Sequence, residues 1–224
     1  RNILTNNGFP NENLEILGNP EFFNLDERLE SLGKIDLRKK FQVPHNKFVI
    51  LLTTARAQRH YQNTYGMIDY DEKVWETLIK NLGNNSEFVI ILKPHPGENT
   101  EIYHKILQKY NFSNCKIISD DLFELISISS IVISIYSTTI LDAICCNKPV
   151  IRVKFTNTMP TLPYDENFVV QSCNLDQLIE NVNEIKNDPK IAKNLLINGK
   201  KFAEHQYSMR NNNLPLILKK ILES

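Results

Sequence analysis

Short β-branched runs alternating with stretches of helical periodicity constrain this chain more than any other feature of its sequence. The runs are Phe48–Thr53 (FVILLT), Phe88–Leu92, Cys115–Ser119, Ile131–Ile135 and Pro149–Val153. Each is too short for an ordinary helix, and continuous apolarity is what a parallel strand buried on both faces requires. Between them, Tyr70–Leu82 places Val74, Trp75, Leu78, Ile79 and Leu82 at helical spacing before Gly83 ends it. Thr100–Tyr110, Asp121–Ser129 and Ile140–Cys146 read as the helices that follow the later runs. Further on, Phe168–Val170 is expected as another strand, Leu175–Ile185 as an amphipathic helix, and Pro189–Glu204 as a helix opened by proline at a first-turn position. Leu14–Leu17 is expected as a short strand, Leu37–Phe41 as a short helix stopping before Pro44, and Leu214–Leu222 as a last helix. This alternation predicts an α/β fold: a doubly wound, mostly parallel sheet with helices on both faces.

Composition excludes several partners. Lys+Arg and Asp+Glu are 26 each in 224 residues. No overall field therefore draws the chain to nucleic acid or to an anionic membrane, and any anion must be held locally. No apolar run approaches the roughly 20 residues that a membrane-spanning helix needs. The four cysteines show no CxxC spacing, and Cys145 and Cys146 are adjacent in an apolar helix. Buried, reduced thiols are expected, and with them a cytoplasmic setting. The chain starts at Arg1 without a methionine and is expected to be a fragment of a longer protein.

In a doubly wound sheet, ligands bind beyond the carboxyl ends of the strands near the switch point of strand order. The polar features of the sequence fall at those ends. Thr54–Gly66 (TARAQRHYQNTYG) follows the first strong strand as a long polar loop carrying Arg56 and Arg59. Lys93-Pro94-His95-Pro96-Gly97-Glu98 follows the second, and its two prolines are expected to hold His95 in an extended loop. In Ile131–Pro149 a strand feeds a helix through Ser137-Thr138-Thr139. Unpaired N–H groups and hydroxyls at such a turn suit a phosphate. Asp142, inside the helix, is placed to reach a sugar hydroxyl. The alternative is that Ser137 is only an N-cap and Asp142 only solvated. Trp75 sits at core spacing, and His45, His60, His104 and His205 are scattered along the chain.

No GxGxxG, P-loop, HExxH or GxSxG pattern is present. The remaining set of cations and hydroxyls plus one carboxylate suits a diphosphate bearing a ribose. Donors aimed at a diphosphate stabilise the charge that grows on it as it leaves. Neither a cofactor nor a metal is expected, the nucleotide-activated donor being a substrate.

LKPHPGE followed by DDLFELISISSIVISIYSTTILDAICCNKPVI resembles the carboxyl-terminal, nucleotide-binding domain of GT-B glycosyltransferases. It is similar to the UDP-N-acetylglucosamine 2-epimerase superfamily and to capsule and wall-polymer transferases, including the CDP-glycerol glycerophosphotransferases. ILGNPEFF resembles the segment entering that domain, and the likeness covers roughly residues 14–205. It implies a Rossmann-like sheet forming one half of a GT-B fold. Residues 1–39 would be a lead-in from a missing amino-terminal domain, and 40–224 the nucleotide-sugar-binding domain. Arg56, Ser137, Thr138 and Thr139 would contact the donor diphosphate; Lys93, His95 and Asp142 would face the nucleotide and its ribose. The implied function is transfer of a sugar or alditol phosphate from a nucleotide-activated donor to a cell-surface polysaccharide or glycan, and the expected location is cytoplasmic, peripheral to the membrane through the missing part. The alternatives are an epimerase of the same superfamily and a non-catalytic binding module. Epimerases usually carry Ser-Gly-Gly where this chain has Ser137-Thr138-Thr139, and relatives more often have Glu where Asp142 stands.

Overall fold

In the computed structural model the described residues are 2–10, 12, 14, 22, 24–55, 70–155, 159–206, 218, 219 and 222. Their helices are α1 (Asn2–Asn6), α2 (Leu25–Gly33), α3 (Leu37–Lys40), α4 (Tyr70–Leu82), α5 (Glu101–Tyr110), α6 (Leu122–Ile128), α7 (Thr139–Cys145), α8 (Leu178–Asn187) and α9 (Pro189–Lys201). The strands are β1 (Phe48–Thr53), β2 (Phe88–Lys93), β3 (Cys115–Ile117), β4 (Ile131–Ser134), β5 (Val150–Val153) and β6 (Gln171–Cys173). They form one sheet in the order β3-β2-β1-β4-β5-β6, with every neighbouring pair parallel. The order reverses between β1 and β4, so these two strands flank the switch point.

Strand periodicity divides the apolar residues between two cores. Val49, Leu51, Val89, Ile91, Val132 and Val150 meet side chains of α2, α3, α6 and α7 on one face. Ile50, Leu52, Ile90, Leu92, Ile133 and Ile151 meet α4, α5 and α8 on the other. Both parities of the strands are buried, which is why the runs lack polar alternation. Trp75 is fully buried, as its spacing predicts, and its indole N–H donates to the Tyr103 carbonyl at 3.2 Å. Phe22, Leu25 and Leu37, from within the lead-in, belong to the first core. The four cysteines are buried and form no disulfide; burial pushes the Cys115 and Cys173 thiols up to about 12, so neither forms a thiolate near neutral pH.

Three expectations are corrected. The strand expected at Phe168–Val170 lies at Gln171–Cys173. Asn167 and Phe168 have φ of 57° and 53°, so the chain turns there instead of extending. Helix α8 begins at Leu178, after Asn174 and Gln177 exchange backbone-to-side-chain hydrogen bonds of 3.2 and 3.0 Å. The helix expected to reach Glu204 ends at Lys201 and continues as a π-turn, Phe202–Gln206. The strand at Leu14–Leu17, the long loop beyond Ala55 and the helix at Leu214–Leu222 fall wholly or largely outside the described residues.

Candidate functional site

One register row of the sheet, the last for β2, β1 and β4, is polar from β2 to β6. Thr53 lies opposite Lys93 and Ser134, Ser134 opposite Arg152, and Arg152 opposite Ser172. The row before it reads Leu92, Leu52, Ile133, Ile151 and Gln171. In β2, β1 and β4 the core therefore ends one residue short of the strand ends, while Val153 and Cys173 carry it one row further in β5 and β6. At the switch point the Thr53 and Thr139 hydroxyls are 2.8 Å apart, and the Ser134 hydroxyl donates to the Thr53 carbonyl at 3.3 Å. These contacts tie the start of α7 to β1.

Ser137, Thr138 and Thr139 have different duties in the turn. The Ser137 hydroxyl accepts the Thr139 N–H at 3.2 Å, so the capping role is present. Thr139 is turned inward to Thr53, and Thr138 is the exposed member of the three. Asp142 is 5% exposed, which removes the solvated alternative; its carboxylate is on an inward face of α7. Arg152, fully buried on β5, donates to the Ile135 carbonyl at 3.2 Å and to the Pro160 carbonyl at 3.1 Å, and ion-pairs with Asp165. Asp165 also accepts from Ser172 at 2.8 Å. A buried guanidinium thus supports the chain just before Tyr136 and Ser137 from below.

His95 is in a tight turn, not an extended loop. Pro96 and Gly97 occupy its middle, Gly97 has φ of 80°, and the Glu98 N–H donates to the His95 carbonyl at 3.1 Å. Proline followed by a residue of positive φ is the type II pattern, and glycine adopts that φ without strain. The imidazole Nδ1 is 2.7 Å from the Pro96 carbonyl. A carbonyl only accepts, so Nδ1 carries the proton and Nε2 is the ring nitrogen this contact leaves open.

Glu98 is a site residue that sequence reasoning missed. Its carboxylate accepts the His95 N–H at 3.1 Å, the Tyr103 hydroxyl at 3.0 Å and the Thr54 hydroxyl. Thr54 in turn accepts from the His95 N–H at 2.9 Å. Asp71, at the start of α4, is a second. It is 5% exposed, one oxygen accepts the Ala55 N–H at 3.3 Å, and the other has no partner. Burial, with Glu98 nearby, pushes its carboxyl up to about 8. Both residues were legible only as a loop charge and a helix-start acid.

Lys93 is half-buried on the face of the sheet shared with Thr53, and desolvation lowers its pKa against the pull of Asp121 and Asp120. The structure brings Lys93, His95, Ser137, Thr138 and Thr139 to one edge of the sheet, while Arg56 lies outside the described residues. A cavity of about 800 Å³ opens along this edge between Lys154, Phe155, Asn174 and Gln177. It lies over β5 and β6, to one side of the switch point.

Residues 9–157 match the family described as CDP-glycerol:poly(glycerophosphate) glycerophosphotransferase. No curated protein matches the sequence. Among solved structures, UDP-GlcNAc 2-epimerase from Neisseria meningitidis bound to UDP-GlcNAc superposes with a TM-score of 0.71 at 18% identity, over 100% of this chain and 58% of that one. The wall teichoic acid polymerase TagF gives 0.62 at 20% identity, over 94% of this chain and 51% of that one. The carboxyl-terminal domain of a group 1 glycosyl transferase (LpcC) from Francisella tularensis gives 0.52 at 15%, over 76% of this chain and 91% of that one. At these identities the likeness shows a shared fold, the Rossmann-like half of a GT-B architecture. The chain spans about half the length of the polymerase.

Proposed function

This chain belongs to the CDP-glycerol:poly(glycerophosphate) glycerophosphotransferase family, and from that premise we propose that it is the donor-binding half of a transferase. The transferase moves an alditol phosphate or a sugar from a nucleotide-activated donor to a cell-surface polymer. A second domain supplies the acceptor site, and the nucleotide-activated donor is the only small molecule required. The observation that carries this reading is the convergence of the β1, β2 and β4 ends at the reversal of strand order, with Thr54, His95 and Ser137–Thr139 following them.

The proposed roles follow from what each group can still do. Thr138 is exposed and Ser137 retains its O–H for donation, so both suit the diphosphate. Thr139 acts through Thr53, holding the turn. His95 offers Nε2 at the end of β2, where its protonated form donates to an anion and its neutral form accepts a proton. Lys93 lends positive charge from the adjacent strand end, and Asp142 is assigned to the ribose. Arg56, two residues beyond Thr54, is assigned to the phosphates. Transfer is favoured over epimerisation because Ser137-Thr138-Thr139 stands where the epimerases usually carry Ser-Gly-Gly.

Isothermal titration with CDP, UDP, GDP and CMP tests the reading. One diphosphate should bind more tightly than CMP, and the double substitution Ser137→Ala/Thr138→Ala should weaken it by about 1–3 kcal/mol, the range for hydrogen bonds to a charged group. Binding of none of the four, or unchanged affinity in the double variant, contradicts it.

A further inference from the structure

We propose that Glu98 is the positioning residue for His95, fixing the imidazole-bearing turn to the end of β1 and to the buried core beneath α5. The inference rests on the reading that this edge takes a nucleotide, but its geometry stands apart from which nucleotide that is. The turn His95-Pro96-Gly97-Glu98 reverses the chain so that the side chain of its last residue returns to the backbone N–H of its first, at 3.1 Å. Left at that, the turn would be a self-contained loop free to rock on β2. Two further contacts remove that freedom.

The first is Thr54, which immediately follows β1. Its hydroxyl donates to one Glu98 oxygen and accepts from the His95 N–H at 2.9 Å. One threonine hydroxyl and one carboxylate oxygen therefore share the His95 N–H, and the two strand ends become one unit. The second is Tyr103, which is fully buried and donates its hydroxyl to the other Glu98 oxygen at 3.0 Å. Tyr103 cannot shift, because its ring is in the second core and its carbonyl receives the Trp75 indole N–H. Both carboxylate oxygens are used, and each is aimed by a donor from a different element: β1 and its own turn on one side, α5 on the other. Such a bridge orders His95 before a ligand arrives, so less orientational freedom is lost on binding. It also sets the direction of Nε2, since Nδ1 is held by the Pro96 carbonyl within the same turn.

An amide cannot replace the carboxylate, because its NH₂ would face donors on one side. The test uses the 224-residue chain with Glu98→Gln and Tyr103→Phe, read three ways: thermal unfolding, imidazole ¹⁵N resonances, and titration with CDP. Glu98→Gln should shift the His95 ¹⁵N resonances and weaken CDP about tenfold, the loss of one charge-assisted contact's worth of order. Tyr103→Phe removes one of the donors and should move the same signals in the same direction by less. His45 and His104 resonances should stay in place in both variants, which shows that the chain is still folded.

If the His95 signals are unchanged in Glu98→Gln, the proposal is overturned whether or not CDP binds. Altered His95 signals with unaltered CDP affinity overturn it as well, because the bridge then shapes the turn without serving the ligand. If the wild-type chain binds no nucleotide at all, it is the functional reading that fails, and the proposal loses its ligand with it.

Discussion

Asp71 shows how far a single side chain departs from what its place in the sequence suggests. At the start of a helix an aspartate ordinarily gains from the helix dipole and stays ionised. Here burial dominates, Glu98 adds like charge, and the carboxyl is pushed up to about 8, with the Ala55 N–H opposing weakly. The folded chain thus holds a proton on Asp71 between about pH 4 and about pH 8 that the unfolded chain releases. Its contribution to stability is complete below the ordinary carboxylate range, declines as pH rises through that window, and is flat above about 8. Asp71→Asn should remove this slope and leave the protein at least as stable at pH 8. Urea unfolding of both proteins at pH 5, 6.5 and 8 measures it; parallel slopes would mean that the buried carboxyl is ionised throughout. Glu98 is the complementary case. A carboxylate after Pro-Gly reads as a solvated loop charge, and only the type II turn, for which Pro96-Gly97 is the sequence signal, folds it back onto His95.

At the scale of elements, what the sequence made legible was whatever depends on continuous apolarity. FVILLT, FVIIL, IVIS and VIRV are strands because burial on two faces leaves little room for another pattern. QSC is a strand with no such pattern: an edge element of three residues, set by pairing with β5 and by the left-handed pair Asn167-Phe168 before it. Register is likewise invisible in a linear sequence, and so the alignment of Lys93, Thr53, Ser134, Arg152 and Ser172 in one row could not be foreseen. Arg152 was read as part of an ordinary strand, yet its charge is wholly buried and depends on Asp165. Asp165→Ala leaves that charge without its counter-ion, and chemical unfolding should show a loss of about 3–5 kcal/mol, the range for breaking a buried pair from one side. A loss below about 1 kcal/mol would match a surface pair instead.

For the whole molecule, two cores share one sheet, and among the described residues β1, β2 and β4 all end at the margin proposed to take the donor. Among the described residues no helix is long and apolar enough to cross a membrane. A nucleotide bound at that margin contacts chain from both sides of the strand-order reversal, so it should stabilise the fold as a unit. With CDP at 100 times its dissociation constant, thermal unfolding should show about 2.7 kcal/mol of added stability. The Ser137→Ala/Thr138→Ala variant should need more ligand for the same shift. A transition that does not move with CDP means that the folded chain does not bind it in preference to the unfolded chain.

The polar row at the ends of β1, β2 and β4 has an evolutionary corollary. Because Thr53, Ser134 and Arg152 grip backbone carbonyls and a neighbouring hydroxyl, the scaffold's hold on the crevice is indifferent to which side chains the loop tips display. Thr138 and His95 are exposed tips of this kind. On the proposed reading, exchanging them should retune which donor is accepted while the platform beneath keeps its shape, so that new specificities can be tried without refounding the sheet.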